Sequence, residues 1–294
     1  MMEQMASQVR SLRSSLPLQQ FKKNAPIKIA CIGNCILNKQ KMLLNLNPNI
    51  DVVFTSNLSN WGNYHAESFK ERAEEADIVL GLAVNNNNQL FQTPSDLRAT
   101  YGDKCVIVPS IWLDGTDTLQ SFSITGNVRF FGGDPIVERA KEIGFDEVYE
   151  ELIRGKLNTD PSGRISRSIA NLRNVESNCD FPMSDYIEDT YQLRPVANAI
   201  GHPSSIVVRE IFCRLVKTLN LDFKLDTMFT PHLMGRLSLP GTQRVFSPYD
   251  VEELKLTYDH EPHWMLQAKS LLNLIRSKVK TGTYLPTENS KVSY

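Results

Sequence analysis

Residues 27–35 read IKIACIGNC, and this stretch decides the fold class of the chain. Its first six residues form a short apolar run of the kind found in buried strands, and Gly33 then supplies a turn. From Cys35 to Leu46, apolar residues recur with a helix-like spacing. The stretch therefore predicts a buried strand, a tight turn and a helix that begins near Cys35.

The same order of strand and helix repeats in the next part of the chain. Short apolar runs predict strands at 51–55, 77–82 and 105–109, and helices are predicted at 65–75 and 94–100. Strands that are joined by helices form a parallel sheet covered on both faces. The predicted fold class is α/β, with a mainly parallel sheet flanked by helices.

Two largely helical regions extend this sheet. Residues 134–192 form a predicted middle insertion, followed by a short strand at 196–200 and a helix that opens at Pro203. A long amphipathic helix is predicted over 250–278.

These patterns divide the chain into three parts. They are an N-terminal arm, 1–24, a catalytic α/β domain, 25–225, and a C-terminal extension, 226–294. We expect the extension to pack either on the core or on a second copy of the chain, which would make the protein a homo-oligomer.

Composition excludes several classes of function. The 294 residues carry 32 Lys and Arg against 33 Asp and Glu, whereas a broad nucleic-acid surface needs a basic excess. No run approaches the roughly 18 apolar residues of a membrane span, and no secretory signal is recognisable. Five scattered cysteines do not suggest a disulfide framework, so we expect free thiols and a cytoplasmic location.

The first candidate catalytic residue is Cys35, in the Gly33-Asn34-Cys35 turn after the first strand. Ligands of open α/β sheets bind outside the carboxyl ends of the strands. A thiol at a helix N-terminus is favoured as thiolate by the helix dipole, and the free N–H groups there can hold an oxyanion. The alternative is that Cys35 is a small buried hydrophobe.

The second candidate is His202, in Gly201-His202-Pro203-Ser204. It also lies between an apolar run and a helix start, where a histidine can act as a general base. The alternative is a structural histidine that is held by hydrogen bonds. A cysteine and a histidine at two such junctions make a catalytic pair more plausible than either residue alone.

Here the sequence resembles a known family. Residues 32–35 and 201–205 resemble the GNCQ and NHP motifs of the WcbI-type polysaccharide-biosynthesis acetyltransferases. Segments 76–79, 108–115 and 183–187 resemble intervening segments of that family in the same order, so the resemblance spans about 27–222. The chain departs from the pattern at Ile36, where the family has Gln, and at Gly201, where it has Asn.

The resemblance implies an enzyme that binds coenzyme A and transfers an acetyl group from acetyl-coenzyme A to a sugar hydroxyl of a capsular or surface polysaccharide. Its partners would be acyl-coenzyme A and a carbohydrate acceptor. Gly33 and Asn34 would belong to the cofactor site. Lys39 and Arg209, with Arg214, are candidates for its phosphates, although each is also a plausible solvated helix residue.

Two other readings stay open. One is an esterase or deacetylase of the SGNH type, which also has a nucleophile after the first strand and a later histidine. Those enzymes use Ser and place Asp before the His, and neither feature is found here. The other is a non-catalytic binding protein that keeps the fold.

The remaining polar and aromatic candidates are weaker. Ser110, Asp114 and Asn86 follow predicted strands, but polar residues there are more often turn formers. The histidines His260 and His263 lack the spacing of a helical metal motif, so no metal site is predicted. Four aromatic residues could line a sugar site and are more often core: Trp61, Tyr64, Trp112 and Phe130.

Overall fold

The computed structural model describes residues 25–57, 63–83, 93–113, 121–124, 127–130, 133–199, 201–239, 246–258 and 264–284. The predicted arm, 1–24, lies outside these residues. The central strands are β1 (Ile27–Gly33), β2 (Ile50–Asn57), β3 (Ile78–Leu82) and β4 (Cys105–Val108). All neighbouring strands are parallel, in the order β2-β1-β3-β4, which confirms the α/β class with a parallel sheet.

The helices between these strands are α1 (Cys35–Leu44), α2 (Asn63–Glu75) and α3 (Pro94–Tyr101). A hairpin follows, β5 (Ser121–Ile124) and β6 (Asn127–Phe130), and then α4 (Gly133–Ile143), α5 (Phe145–Ile153), α6 (Pro161–Glu176) and α7 (Ser184–Thr190). The chain continues through β7 (Ala197–Ala199), β8 (His202–Pro203), α8 (Ser205–Thr218), α9 (Leu225–Met228), α10 (Pro231–Leu237), α11 (Pro248–Glu253) and α12 (Trp264–Lys280).

The strand order creates a cleft at the carboxyl edge of the sheet. From β1 the chain moves outward to β2 and then returns to place β3 and β4 on the other side of β1. The connections after β1 and β3 therefore leave in opposite directions and open a crevice between them, where ligands of such sheets bind. Cys35 follows β1 after Asn34, so it lies at the end of the sheet where this strand order places the crevice.

The core has two layers because strand residues alternate between the faces of the sheet. Ile29 and Cys31 of β1 share one cluster of buried residues with α1 and α8. Ala30 and Ile32 share the other with α2 and α3. Helices therefore cover both faces, as the predicted parallel sheet requires.

The described residues of the middle and C-terminal regions are mainly helical, as predicted. Leu237 and Leu239 belong to the same buried cluster as the sheet, so the segment around α10 is part of the main core. The last helix, α12, packs on α4 and α5 through Ala268 and Ile275. Among the described helices, none has the length and apolarity to cross a bilayer.

Three sequence predictions differ from the structure. Helix α8 begins at Ser205 and not at Pro203, because Pro203 pairs with Ala197 in a short antiparallel hairpin. The helix predicted over 250–278 is instead two helices, α11 and α12, and Lys255 adopts a positive φ of 53° just after the first. Between β4 and α4, where no strand was predicted, the structure has the β5–β6 hairpin.

Candidate active site

The Gly33-Asn34-Cys35 turn joins β1 to α1 with only one residue, Asn34, between them. A Cβ atom on Gly33 would lie 2.5 Å from Cδ1 of the buried Leu37, so only glycine fits there without a shift. Asn34 is the N-cap residue of α1, and its Oδ1 accepts a hydrogen bond of 2.9 Å from the N–H of Ile36. Cys35 is thus the first residue of the helix, as the sequence predicts.

The electrostatics of Cys35 differ from the expected thiolate. The side chain is half-buried, and this burial raises the pKa of the thiol above its ordinary value. The N–H groups of Cys35 and Ile36 and the charge of Lys39 lower the pKa, but burial outweighs them. The free chain therefore favours a neutral thiol, because the effect of the helix N-terminus is smaller than the cost of desolvating a thiolate.

Two hydrogen bonds show that α1 and α8 run side by side in the same direction. Gln40 Nε2, in the second turn of α1, donates to the carbonyl oxygen of Val208, in the first turn of α8, at 3.1 Å. Beyond their C-terminal ends, Asn47 Nδ2 donates to the carbonyl oxygen of Asp222 at 2.9 Å. Parallel helices have their N-termini at the same end, so both positive dipole ends lie at the carboxyl edge of the sheet.

This arrangement brings the two predicted catalytic residues to one edge of the molecule. His202 lies in β8, which directly precedes α8 and contacts α1. Its side chain is half-buried, and Gly201 before it adopts a positive φ of 69°, which lets the hairpin turn sharply. Residues far apart in sequence, Cys35 and His202, therefore belong to adjacent helix starts.

The segment after β4 also lies at this edge, next to β8. Trp112 is half-buried and packs against Gly201, since a Cβ on that glycine would lie 3.1 Å from the indole Cε3. Ser110 is half-buried on the same segment. The other candidates lie outside the described residues, or only their backbones are described: Asn86, Asp114, Trp61, Tyr64, Phe130, His260 and His263.

The predicted phosphate-binding cations have different surroundings. Lys39 Nζ donates to the carbonyl oxygen of Arg236, at 2.6 Å, which ties α1 to α10. Arg209 is exposed on α8, with its guanidinium carbon 5.1 Å from the centre of the Phe229 ring.

Arg214 is unsuited to a phosphate because it is already paired with two carboxylates. Its guanidinium donates to Asp185 at 2.7 Å and to Glu210 at 2.8 Å. In the described part of the chain, no cluster of three or more His, Cys, Asp and Glu side chains could hold a metal ion.

Sequence reasoning missed two buried polar residues beside this edge. Ser204 is the N-cap residue of α8 and is only 6% exposed, yet its hydroxyl does not cap the helix. Gln40 is fully buried between α1 and α8. Ser204 Oγ and Gln40 Oε1 have no hydrogen-bond partner among the described residues. A serine just before a helix was a visible signal for Ser204, whereas nothing local distinguishes Gln40.

Fold and site together define an α/β protein with a cysteine and a histidine at the carboxyl edge of a parallel sheet. Neither a protein-family model nor a curated protein matches the chain. The solved structure of WcbI is similar, with 14% identity and a TM-score of 0.55 over 88% of this chain and 98% of WcbI. WcbI is described as a polysaccharide biosynthesis enzyme, and that structure as the native protein without a disulfide bond between coenzyme A and a cysteine. At this identity the likeness shows a shared fold.

Proposed function

We propose that this protein is a coenzyme A-dependent acyltransferase that acetylates a sugar hydroxyl during polysaccharide biosynthesis in the cytoplasm. The observation that carries the proposal is the parallel pairing of α1 and α8 through the Gln40–Val208 and Asn47–Asp222 bonds. Because of this pairing, a thiol and an imidazole flank two positive helix ends, which suits the anionic tetrahedral intermediate of acyl transfer.

Direct transfer is the route that the electrostatics favour. His202 takes the proton of the acceptor hydroxyl, and the oxygen attacks the thioester carbonyl. In the first turn of α1, the N–H of Ile36 is occupied by Asn34, so the oxyanion would accept a hydrogen bond from a neighbouring N–H such as that of Cys35. When the intermediate collapses, the carbon–sulfur bond breaks and the coenzyme A thiolate receives the proton from His202. The alternative is attack by Cys35 to form an acyl-enzyme, which first requires a base to remove the proton of a thiol whose pKa is raised by burial.

The cofactor would approach along the N-terminal ends of α1 and α8. Gly33 and Asn34 form the turn from which α1 starts, and Asn34 occupies the N–H of Ile36. Lys39 on α1 and Arg209 on α8 would neutralise the phosphates, because both follow the two helix starts by about one turn. The description of the WcbI structure names coenzyme A together with a cysteine, although without a disulfide bond between them, and this supports the same ligand here.

Isothermal titration with coenzyme A and acetyl-coenzyme A tests the proposal. We expect binding at micromolar concentrations or tighter in the wild type and in His202→Ala, with turnover lost in His202→Ala. Cys35→Ala should keep binding and much of its turnover under direct transfer, whereas a covalent route predicts that turnover disappears. Cys213→Ala, which alters another half-buried thiol, is the matched control. The absence of binding at millimolar ligand by folded protein would overturn the proposal.

The same samples address the two other readings. An esterase would hydrolyse a simple acetate ester without coenzyme A, and this activity would require His202. A non-catalytic binding protein would keep its ligand affinity in both Cys35→Ala and His202→Ala and show no turnover in the wild type.

A further inference from the structure

We infer that Trp112 is the platform that binds the carbohydrate acceptor and determines which sugars reach His202. The inference rests on the proposed function, because it names the residue that would hold one of the two substrates. It depends on the position of the indole, on its partial exposure and on the glycine that makes room for it.

The protein encloses two parts of the Trp112 indole. On one edge Nε1 is buried. On the other, Cε3 and Cζ3 lie 3.1 Å and 3.3 Å from the place where a Cβ on Gly201 would be. The residue is nevertheless partly exposed, between the buried Ile111 and Leu113. One edge of the indole is therefore packed against Gly201, while the residue as a whole keeps part of its surface open to solvent.

The position of the Trp112 indole depends on a glycine at position 201. The Cβ atom of any side chain at position 201 would lie 3.1 Å from the indole Cε3, which is closer than an ordinary van der Waals contact. The positive φ of 69° also disfavours other residues at this position. The absence of a side chain at 201 therefore lets an aromatic ring pack against the residue that precedes His202.

The acceptor is the substrate that this position suits. Acetyl-coenzyme A must bring its thioester to the start of α1, where the N–H groups beside Cys35 would hold the oxyanion. The acceptor hydroxyl must reach His202, the proposed base, and Trp112 lies on the His202 side because it packs against the preceding residue.

The chemistry of the indole limits the class of acceptor. A pyranose presents an apolar face of ring C–H groups, which packs on an aromatic ring, while its hydroxyls point outward to polar partners. A sugar that lies on Trp112 would project a hydroxyl sideways to His202. Trp112 therefore favours a pyranose with several C–H groups on one face over a linear polyol, which has no such face.

The experiment uses the indole itself as the reporter. The chain has three tryptophans, so the Trp61→Phe/Trp264→Phe variant retains Trp112 alone, and the Trp112→Phe variant retains the other two. Methyl β-D-glucopyranoside, methyl β-D-galactopyranoside and, as control, sorbitol are titrated to high millimolar concentration, with fluorescence as the readout. No coenzyme A is present, so the result is independent of whether the cofactor binds.

We expect a saturable change in emission with at least one glycoside when Trp112 is the only indole, and none with sorbitol. In Trp112→Phe the remaining indoles should show no saturable change. Gly201→Ala, made in the variant that retains only Trp112, should weaken glycoside binding by about threefold to tenfold, since its methyl group displaces the ring. No saturable change with either glycoside, or an equal change with sorbitol, would overturn the inference. Either outcome would leave the proposed function untouched, because the coenzyme A titration tests that function separately.

Discussion

Alkylation of Cys35 by iodoacetamide should be slow at neutral pH, should accelerate about tenfold for each pH unit while the thiol is mostly protonated, and should still be rising at pH 8.5. The cause is the half-burial of the thiol, which raises its pKa despite its place at the start of α1. An ordinary cysteine thiol has a pKa of about 8.5, so at pH 7.5 fewer than about one in ten Cys35 side chains would be thiolates.

The contribution of Lys39 can be measured in the same assay. Its charge lowers the pKa of Cys35, so Lys39→Met should raise that pKa further and slow alkylation at pH 8. A partly exposed charge pair contributes at most about 1 kcal/mol, which corresponds to a rate lower by up to roughly fivefold. Lys41→Met is the matched control, because Lys41 acts on the pKa of Cys31.

Peptide mass spectrometry assigns the alkylated site. Burial raises the pKa of Cys31, Cys105 and Cys179 to about 12, so these thiols should remain unmodified in the folded protein. Cys213 is half-buried with a raised pKa and serves as an internal reference. A plateau in the Cys35 rate below about pH 7.5 would refute the reasoning, because it would show a stable thiolate in the free chain. The acyl-enzyme route would then be favoured.

Three further changes test the packing that supports the site. Asp250→Ala removes the carboxylate, 0% exposed, that pairs with Arg164 at 2.8 Å, and should cost about 3–5 kcal/mol in urea unfolding. Adding Arg164→Met should recover much of this loss, and no recovery would contradict the ion-pair explanation. Gln40→Met loses a hydrogen bond worth about 1 kcal/mol but also removes the buried Oε1, so the unfolding free energy should stay within about 1 kcal/mol. A loss above about 2 kcal/mol would show that the amide is essential to the helix pairing. Gly33→Ala pushes Leu37 aside at a cost of about 1–3 kcal/mol and should reduce turnover more than acetyl-coenzyme A binding. Leu37→Ala in the same chain should restore turnover, and equal effects on binding and turnover would contradict a displaced helix start.

The sequence by itself determined the sheet and the position of the first candidate residue. Apolar runs and glycine act through neighbouring residues, so the strand at 27–33 and the helix start at Cys35 were readable from the local pattern. The helix start after β8 was predicted two residues early. The choice between a strand pair and a first helical turn at Pro203 depends on a partner, Ala197, beyond the local pattern.

Only the tertiary structure decided how the site is assembled and charged. Its Gln40–Val208 and Asn47–Asp222 bonds set the parallel course of α1 and α8, and each joins residues that are far apart in the chain. Burial, which no local pattern reports, reverses the expected thiolate character of Cys35. Local sequence encodes backbone preference and apolar periodicity, whereas pKa values and helix pairing depend on which distant side chains pack together.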